Sequence, residues 1–389
     1  MLSTQFDVIV YGASGFTGQL VVEYLSQHYP NSKSLKWAMA GRSVEKLQQI
    51  KQQYQVDESI ELVVADAEDI DSLKSMVAST KVVLTTVGPY QLYGNELVEL
   101  CATMGTDYVD LCGEPAWMHE MISKHQKAAQ QSGARIVFSC GFDSIPFDLG
   151  VYYLQQQAKQ QFGHPFERVK GRVRAMKGTF SGGTAASLKA TMKAAHQDPA
   201  VMRVLLNPFS LTEGVEGPAQ PHGNKPLYEK EFNSWSAPFI MAAINTRNIH
   251  RSNYLLGHEY GENFVYDEMI FTGPGDEGEA AANAVANDKS MSGDKGPKPG
   301  EGPSKEEREA GFFDIIFHGS ENGRTLTVSV KGVMDPGYGT TSKMIAESAI
   351  SLVQDNLATK GGIWTSAPAM GNKLIDRLIA RAGMSFTLE

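Results

Sequence analysis

The chain has 389 residues, a length that favours two or three domains and is sufficient for a large buried core. Apolar residues make up 42% and charged residues 20%, as in an ordinary globular protein. The net charge of -9 argues against a nucleic-acid partner, because proteins that bind nucleic acids usually present a basic surface. It leaves room for a local basic patch that binds an anionic cofactor.

Cysteine usage and the start of the chain indicate the cellular compartment. Cys101, Cys112 and Cys140 fit neither a full disulfide set nor a metal site, and the histidines show no ligand spacing, so we expect no metal. Residues 1–11 lead directly into a strand and lack the regions of a signal peptide. No run reaches the roughly 18 apolar residues of a membrane span. We expect a reduced, cytoplasmic protein without an integral membrane segment; peripheral membrane contact stays open.

The first 140 residues alternate between apolar strands and amphipathic helices. The predicted strands are residues 7–11, 35–40, 60–65, 82–87, 107–111 and 136–139. The predicted helices are residues 16–27, 43–54, 71–78, 95–104 and 115–132. Strands that are apolar on both faces and separated by helices indicate a doubly wound parallel sheet of α/β class, in a first domain of residues 1–146.

From residue 147 the pattern changes to open strands. A helix is predicted over residues 148–162, followed by alternating strands over residues 168–175, 264–271, 312–318 and 325–331. Asn322-Gly323 between the last two is a hairpin signal. This predicts a second α+β domain, residues 147–340, with a mainly antiparallel sheet. Residues 273–311 contain few large apolar residues and are predicted as a flexible surface loop, and residues 341–389 as a third, helical part with helices over 341–357 and 372–381.

A glycine-rich turn follows the first strand and opens the first helix. It consists of Gly12, Ala13, Ser14, Gly15, Phe16, Thr17 and Gly18. In this context glycines permit a tight turn, close approach of a diphosphate to the backbone, and close packing of helix on sheet. The diphosphate then lies at the helix N-terminus. The pattern predicts a Rossmann domain that binds a nicotinamide dinucleotide; the alternative is a glycine turn without a ligand.

The end of the second strand indicates which dinucleotide binds. NAD enzymes commonly carry an acidic residue there for the ribose 2′-hydroxyl. This chain has Arg42 and Ser43, with Lys46 one turn later and no acid at the strand end. A guanidinium forks onto a 2′-phosphate, so we predict NADP as the cofactor. The alternative is that Arg42 and Lys46 belong to a solvated helix start and that Ser43 only caps the helix.

Two further loops follow strands on the same edge. Asp66 follows the third strand and either contacts the adenine edge or caps the next helix. Gly88, Pro89 and Tyr90 follow the fourth strand, where ligands of open α/β sheets bind. Tyr90 either stacks or donates beside the nicotinamide, as a cofactor or catalytic residue, or it is a packed loop aromatic.

Several strings in order resemble a known family. They are the turn at 12–18, Gly41-Arg42-Ser43, Val87-Gly88-Pro89-Tyr90, residues 107–114, residues 140–146, Ser181-Gly182-Gly183-Thr184, Asp335-Pro336-Gly337-Tyr338 and residues 361–365. The chain is similar, nearly end to end, to the saccharopine dehydrogenase-like oxidoreductases, which include the trans-acting enoyl reductases. The resemblance implies an NADP-binding Rossmann domain, a second domain over the cofactor, and a C-terminal helix that packs back onto the first domain. It leaves the substrate open.

Carboxylates near the ends of the fifth and sixth strands are the catalytic candidates. Asp110 and Glu114 bracket the end of the fifth strand, where they could share a proton; alternatively, Glu114 binds backbone N–H groups at the start of the next helix. Asp143, with Ser144, lies where the first domain hands over to the second. It is either a catalytic or hinge residue or a helix cap.

Two other features are candidate binding surfaces. Ser181, Gly182, Gly183 and Thr184 precede a helix and suit an anionic or carbonyl group of a substrate, or else form a tight strand-to-helix turn. Four basic residues share one strand face, which either receives a phosphorylated carrier or is a solvated face: Arg168, Lys170, Arg172 and Arg174.

The first functional hypothesis is an NADPH-dependent reductase that transfers hydride to a C=C, C=N or C=O group of a small-molecule or lipid-like substrate. The second is a non-catalytic NADP(H) sensor or lipid-associated protein on the same scaffold, since a fold does not determine function. An open antiparallel sheet also suggests a homodimer.

Overall fold

The N-terminal part of the chain builds a sheet of parallel strands, in a computed structural model that describes residues 4–30, 33–178, 182–288 and 302–389. The first six strands are β1 Phe6–Tyr11, β2 Trp37–Gly41, β3 Glu61–Val64, β4 Thr80–Thr85, β5 Asp107–Val109 and β6 Arg135–Val137. A seventh strand, Gly362–Trp364, is β13 in chain order and pairs with β6. The strand order is β13-β6-β5-β4-β1-β2-β3, with every pair parallel. Successive strands are added outward in one direction from β1 to β3 and in the other direction from β4, so the switch point of this Rossmann sheet lies between β1 and β4.

Helices cover this sheet at the positions that the sequence predicts. They are α1 Phe16–His28, α2 Val44–Gln53, α3 Ile70–Ala78, α4 Tyr90–Tyr93, α5 Asn95–Met104 and α6 Pro115–Ser132. The helices α5 and α6 end at Gly105 and Gly133, whose φ angles of 80° and 90° are easily adopted only by glycine. Only the single turn α4 was absent from the prediction.

The second sheet also has seven strands. They are β7 Arg168–Lys177, β8 Leu227–Glu229, β9 Ser234–Pro238, β10 Val265–Gly273, β11 Phe312–Glu321, β12 Arg324–Gly332 and β14 Met384–Leu388. The order is β14-β12-β11-β7-β10-β9-β8, and only β7 and β10 pair in parallel. The predicted hairpin is confirmed: Asn322 and Gly323 both have positive φ, 49° and 76°, as a tight two-residue connection requires.

The remaining helices include two where a loop was predicted. They are α7 Ile145–Phe162, α8 Gly182–Gln197, α9 Pro199–Leu206, α10 Ala242–Leu255, α11 Gly275–Asn287, α12 Lys305–Glu309, α13 Thr341–Gln354 and α14 Ser366–Arg381. The prediction of a flexible surface loop over residues 273–311 was wrong for α11 and α12. The alanines of α11 favour a helix, Asp276 and Glu277 suit the N-terminal dipole, and Ala282 is buried. Residues 289–301 lie outside the described residues.

The C-terminal part joins both sheets. Its strand β13 extends the first sheet and β14 the second. Glu347 on α13 accepts hydrogen bonds from the hydroxyls of Tyr24 (2.6 Å) and Tyr29 (3.1 Å), so α13 packs against α1 as the family resemblance implied. Across the described parts of the chain, no helix combines the length and apolar character needed to cross a membrane. The boundaries at residues 146 and 340 stay predictions.

Candidate cofactor and active site

The turn between β1 and α1 has room only for glycine at its tightest point. A Cβ atom on Gly18 would lie 2.1 Å from the carbonyl oxygen of Gly12. Gly12 has a φ of 88°, and a Cβ there would meet Thr86 and Val87 at 2.8 Å. Both glycines therefore let α1 start directly against the end of β1.

The N-terminus of α1 is free to bind an anion. Gly15 occupies the N-cap position without a side-chain cap, and the first turn, which begins with Phe16 and Thr17, contains no acidic residue. Ser14 is half-buried, and its carbonyl oxygen accepts a hydrogen bond from Gln19 at 3.0 Å. Backbone N–H groups and the positive end of the helix dipole suit the diphosphate of a dinucleotide.

Two cations lie beyond β2 without counter-ions. Arg42 and Lys46 are exposed, and neither makes an ion pair with another described residue. The pKa of Tyr11 is raised to about 12 by burial and by Asp66, against the opposing effect of Arg42, so both charged groups lie near the end of β1. This arrangement suits the 2′-phosphate and adenosine end of NADP.

Ser43 caps α2, which agrees with the alternative that Ser43 serves as a helix cap. Its hydroxyl accepts the N–H of Lys46 at 3.3 Å and donates to Glu45 at 2.8 Å. Glu45, which the sequence reasoning did not weigh, therefore competes with a phosphate for this hydroxyl. Arg42 and Lys46 therefore stay the predicted residues for the 2′-phosphate.

Asp66 does not cap α3. Its carboxylate accepts the N–H of Glu68 at 3.1 Å, whereas Asp69 caps the helix by accepting the N–H groups of Asp71 and Ser72. The contact of Asp66 with adenine stays a prediction.

Reversing the charge at Arg42 tests the 2′-phosphate site. Arg42→Asp is expected to lower the NADPH affinity roughly 10–100-fold, because it removes a charge-assisted fork and adds a repelling carboxylate. NADH affinity is expected to change little. Calorimetric titration of both nucleotides measures this, with Arg324→Asp on the β11–β12 hairpin as the matched control. Equal NADPH affinity in wild type and Arg42→Asp would refute the assignment.

Tyr90 is held inside the loop after β4. Its hydroxyl accepts the N–H of Leu111 at 3.0 Å, and its ring packs against Trp117 with centroids 5.6 Å apart. Gly88 and Pro89 precede it, joined by a cis peptide bond, and Gly88 is exposed at the edge of the sheet. These contacts match the alternative of a packed loop aromatic, and contact of Gly88 and Pro89 with the cofactor stays a prediction.

The carboxylate of Glu114 is bound on both oxygens. Oε1 accepts the N–H of Tyr90 at 3.0 Å and the hydroxyl of Ser187 at 2.7 Å, and Oε2 accepts the N–H of Gln91 at 2.9 Å. Glu114 thus holds the start of α4, which precedes it, rather than the start of the helix that follows. Its catalytic role stays a prediction that these contacts do not favour.

Asp110 is likewise committed to structure. It accepts the N–H groups of Cys112 (3.0 Å) and Ser139 (2.8 Å) and the hydroxyl of Tyr108 (2.9 Å). Burial raises its pKa to about 7. It braces the loops after β5 and β6.

Asp143 differs from both of these acids. It follows β6, is half-buried, and its carboxylate has no hydrogen-bond partner among the described residues. Burial raises the pKa of Asp143 to about 7. A Cβ atom on Gly113 would lie 3.5 Å from Oδ2, so Gly113 lies next to the carboxylate. A carboxyl group with these properties can give up a proton near neutral pH.

The candidate substrate loop lies next to α4. Ser181 falls outside the described residues, and α8 begins at Gly182, so Gly183 and Thr184 form its first turn. Further along α8, Ser187 binds Glu114, and Thr191 accepts a bond from Gln91 at 3.4 Å. The start of α8 therefore belongs to the same edge of the first sheet as the loop after β4, although its contact with substrate stays a prediction.

The basic face of β7 is engaged in ion pairs rather than available to an anionic carrier. Each cation is paired with acids from neighbouring elements: Arg168 with Asp267, Lys170 with Glu229 and Glu231, Arg172 with Glu229 and Asp267, and Arg174 with Asp314 and Glu389. The expectation of a solvated face was wrong for Arg172, which is fully buried, whereas the other three cations are partly exposed beside acids from distant strands and turns.

Comparison with known proteins identifies relatives along nearly the whole chain. The model of the saccharopine dehydrogenase NADP binding domain matches residues 8–137. A putative trans-acting enoyl reductase of Mycobacterium tuberculosis is 37% identical, over 98% of this chain and 97% of the relative. A trans-acting enoyl reductase of Mycobacterium ulcerans is 33% identical, over 96% of both chains.

A solved structure shares the fold at low identity. Saccharopine dehydrogenase (L-Glu forming) from Saccharomyces cerevisiae aligns with a TM-score of 0.56 and 10% identity over 99% of both chains. The two-sheet architecture, the dinucleotide turn and the relatives agree. The chain is an NADP-binding oxidoreductase that belongs to the saccharopine dehydrogenase-like family, together with the trans-acting enoyl reductases.

Proposed function

We propose that this protein is an NADPH-dependent enoyl reductase in which Asp143 donates the proton. The observation that carries the proposal is the half-buried carboxyl of Asp143, which has a pKa of about 7 and no partner among the described residues, beyond the carboxyl end of β6. The relatives at 33–37% identity are named enoyl reductases, which favours a C=C bond conjugated to a carbonyl over C=N or C=O.

Different residues of the chain bind different parts of NADPH in this proposal. Backbone N–H groups at the start of α1 hold the diphosphate, and Arg42 with Lys46 holds the 2′-phosphate. The loop Gly88-Pro89, beyond the carboxyl end of β4, would face the nicotinamide. When bound, NADPH supplies a hydride to the β-carbon of the enoyl group.

Asp143 then completes the reduction. Hydride addition to the β-carbon would leave a basic α-carbon, which needs a proton to complete the reduction. The carboxyl of Asp143 gives its proton to that carbon and takes another from solvent. A pKa near the working pH keeps part of the population protonated and makes the donor effective.

The surface beside this edge suits an apolar substrate. Leu92, Tyr93 and Met192 are 61%, 40% and 46% exposed on α4 and α8, which are joined by the Gln91–Thr191 bond. Exposed large apolar side chains on two neighbouring helices favour contact with an acyl chain. The substrate we propose is therefore a lipid-like enoyl compound.

Isotope transfer tests the function directly. The protein is supplied with NADPH deuterated at C4 and with enoyl thioesters of increasing chain length, beside an imine and a ketone. Deuterium at the β-carbon, found by mass spectrometry, is the expected result, with faster turnover for longer chains. Deuterium only at a carbinol or amine carbon would reassign the reaction, and nucleotide binding without any transfer would favour a non-catalytic NADP(H) sensor.

A further inference from the structure

Asp143 is the apex of a tight turn. The N–H of Ser144 donates to the carbonyl oxygen of Phe142 at 2.7 Å, and the N–H of Ile145 donates to that of Gly141 at 2.9 Å. Closing a turn over three residues leaves the middle side chain pointing away from its own backbone bonds. Ser144 has a φ of 124° and a ψ of -39°, in a region that a residue with a Cβ atom adopts only with strain.

One side of this turn packs tightly against the loop after β5 and against the start of α13. A Cβ atom on Gly141 would lie 2.8 Å from Leu111 and 3.1 Å from Thr341. The hydroxyl of Thr341 accepts the N–H of Phe142 at 2.9 Å. The beginning of the turn therefore cannot shift without displacing α13.

The other side is held by the second sheet through a buried polar chain. The hydroxyl of Ser144 does not cap α7. It donates to Oδ1 of Asn245 at 3.1 Å and accepts from Nδ2 of Asn248 at 2.7 Å, both on α10. Nδ2 of Asn245 donates to Glu268 on β10 at 2.9 Å, and Glu268 also accepts the hydroxyl of Tyr266 at 2.9 Å.

This network, defined as Ser144, Asn245, Asn248 and Glu268, is almost completely excluded from water. The exposed fractions of its members are 3%, 0%, 1% and 1%. Burial raises the pKa of Glu268 to about 8, although its bonds from Asn245 and Tyr266 act in the opposite direction. Burial therefore favours the neutral form of the Glu268 carboxyl.

We propose that the network is a positioning device, through which the second domain imposes the left-handed conformation of Ser144 and so holds the Asp143 carboxyl half-buried and without a hydrogen-bond partner among the described residues. The inference rests on the proposed role of Asp143 as proton donor. Buried bonds of this kind hold a strained backbone because the alternative conformation would leave their polar groups unpaired.

Other groups also surround the turn, but among the described residues only the bonds of the network to Ser144 can be removed by a single mutation without disturbing α13. Cys112, Asp110 and Glu114 approach from the loop after β5, Thr341 from α13, and Asn245 with Asn248 from α10. Of the first three, Asp110 and Glu114 are committed to other bonds. If the network releases Ser144, the turn relaxes and water reaches the Asp143 carboxylate, which favours its charged form.

Two substitutions of Ser144 distinguish the effect of losing its hydroxyl from the effect of its strained backbone conformation. Ser144→Ala removes the hydroxyl and keeps the strain of a Cβ atom, so the turn is expected to relax. Ser144→Gly removes the hydroxyl but adopts the positive φ without strain. The titration of Asp143 is followed by 13C NMR of labelled aspartate carboxyls, and Asp143→Asn identifies its signal.

The expected result is a midpoint near the wild-type value in Ser144→Gly and one lower by about one pH unit or more in Ser144→Ala. In turnover, Ser144→Ala is expected to lose about 10–100-fold in kcat, as a misplaced catalytic group does, and Ser144→Gly to retain most of it. NADP affinity stays unchanged. Ser132→Ala, at the opposite edge of the first sheet, is the matched control.

The outcomes are distinct from those of the proposed function. An unchanged midpoint in Ser144→Ala, or equal shifts in both variants, overturns the positioning role whatever the turnover. Failure of wild type to reduce any enoyl compound overturns the proposed function, while the titration still decides the role of the network. If Ser144→Ala does not fold, Asn245→Ala, which removes the acceptor of the Ser144 hydroxyl, is measured in the same way, and a wild-type midpoint there overturns the proposal.

Discussion

Replacing Asp143 by Asn is expected to lower kcat for enoyl reduction about 10²–10⁴-fold, while the NADPH affinity stays close to that of wild type. The amide has nearly the shape of the carboxyl but cannot supply a proton, and the nucleotide is held by other residues. Stopped-flow measurement of NADPH oxidation and calorimetric titration of NADPH separate the two effects. The control is Asn372→Asp, an exchange between the same two residue types at an exposed position on α14.

The proposed role of Asp143 also predicts how kcat changes with pH. The acid form of Asp143 donates, so wild-type kcat is expected to be high below about pH 7 and to fall as the pH rises through the pKa. The variant is expected to lose that limb. A raised folded-state pKa contributes stability at low pH that is lost as the pH rises through about 7, so Asp143→Asn is expected to raise Tm above pH 8. A variant with wild-type kcat and an unchanged pH profile would remove Asp143 from the mechanism.

Arg172→Met is expected to be among the most destabilising single changes in the second domain. The Arg172 guanidinium is fully buried and binds both oxygens of Glu229, at 2.6 and 3.0 Å, and Asp267 at 2.7 Å. Removing it leaves two buried carboxylates with fewer partners, a change that costs about 3–5 kcal/mol in comparable pairs. Because Lys170 still reaches Glu229 and Arg168 still reaches Asp267, we expect the lower end of that range.

Calorimetric Tm and urea midpoints measure the loss, with Lys170→Met as the control, since Glu229 then keeps Arg172. Burial raises the pKa of Glu229, but its bonds from Arg172, Ser236 and Lys170 prevail and lower the pKa to about 2. A depressed pKa contributes stability above the unfolded value that is lost as the pH falls through about 2. Arg172→Met is therefore expected to move acid unfolding to higher pH. Equal Tm values for the two variants would contradict a structural role for this ion pair.

Local sequence signals were sufficient for much of the fold. Apolar strands separated by amphipathic helices predicted six strands of the first sheet, because parallel strands are buried on both faces. Asn322-Gly323 predicted its hairpin because both positions need positive φ. The strands β13 and β14, three and five residues long, were missed because their stability comes from pairing with distant partners. The buried polar residues Asn245, Asn248 and Ser252 recur at helical spacing on α10, a pattern that could have indicated an internal network.

The dinucleotide turn and the basic end of β2 were determined by the sequence alone, because a glycine turn between strand and helix, and cations after a strand, act through the local backbone. Which carboxylate is free was decided only by the tertiary structure. The sequence alone does not distinguish Asp110, Glu114 and Asp143 as candidate acids. The first two accept hydrogen bonds from N–H and hydroxyl donors of other loops, and Asp143 accepts none among the described residues. The pKa of an acid depends on the water and the donors around it, and those are assembled by residues far apart in the chain.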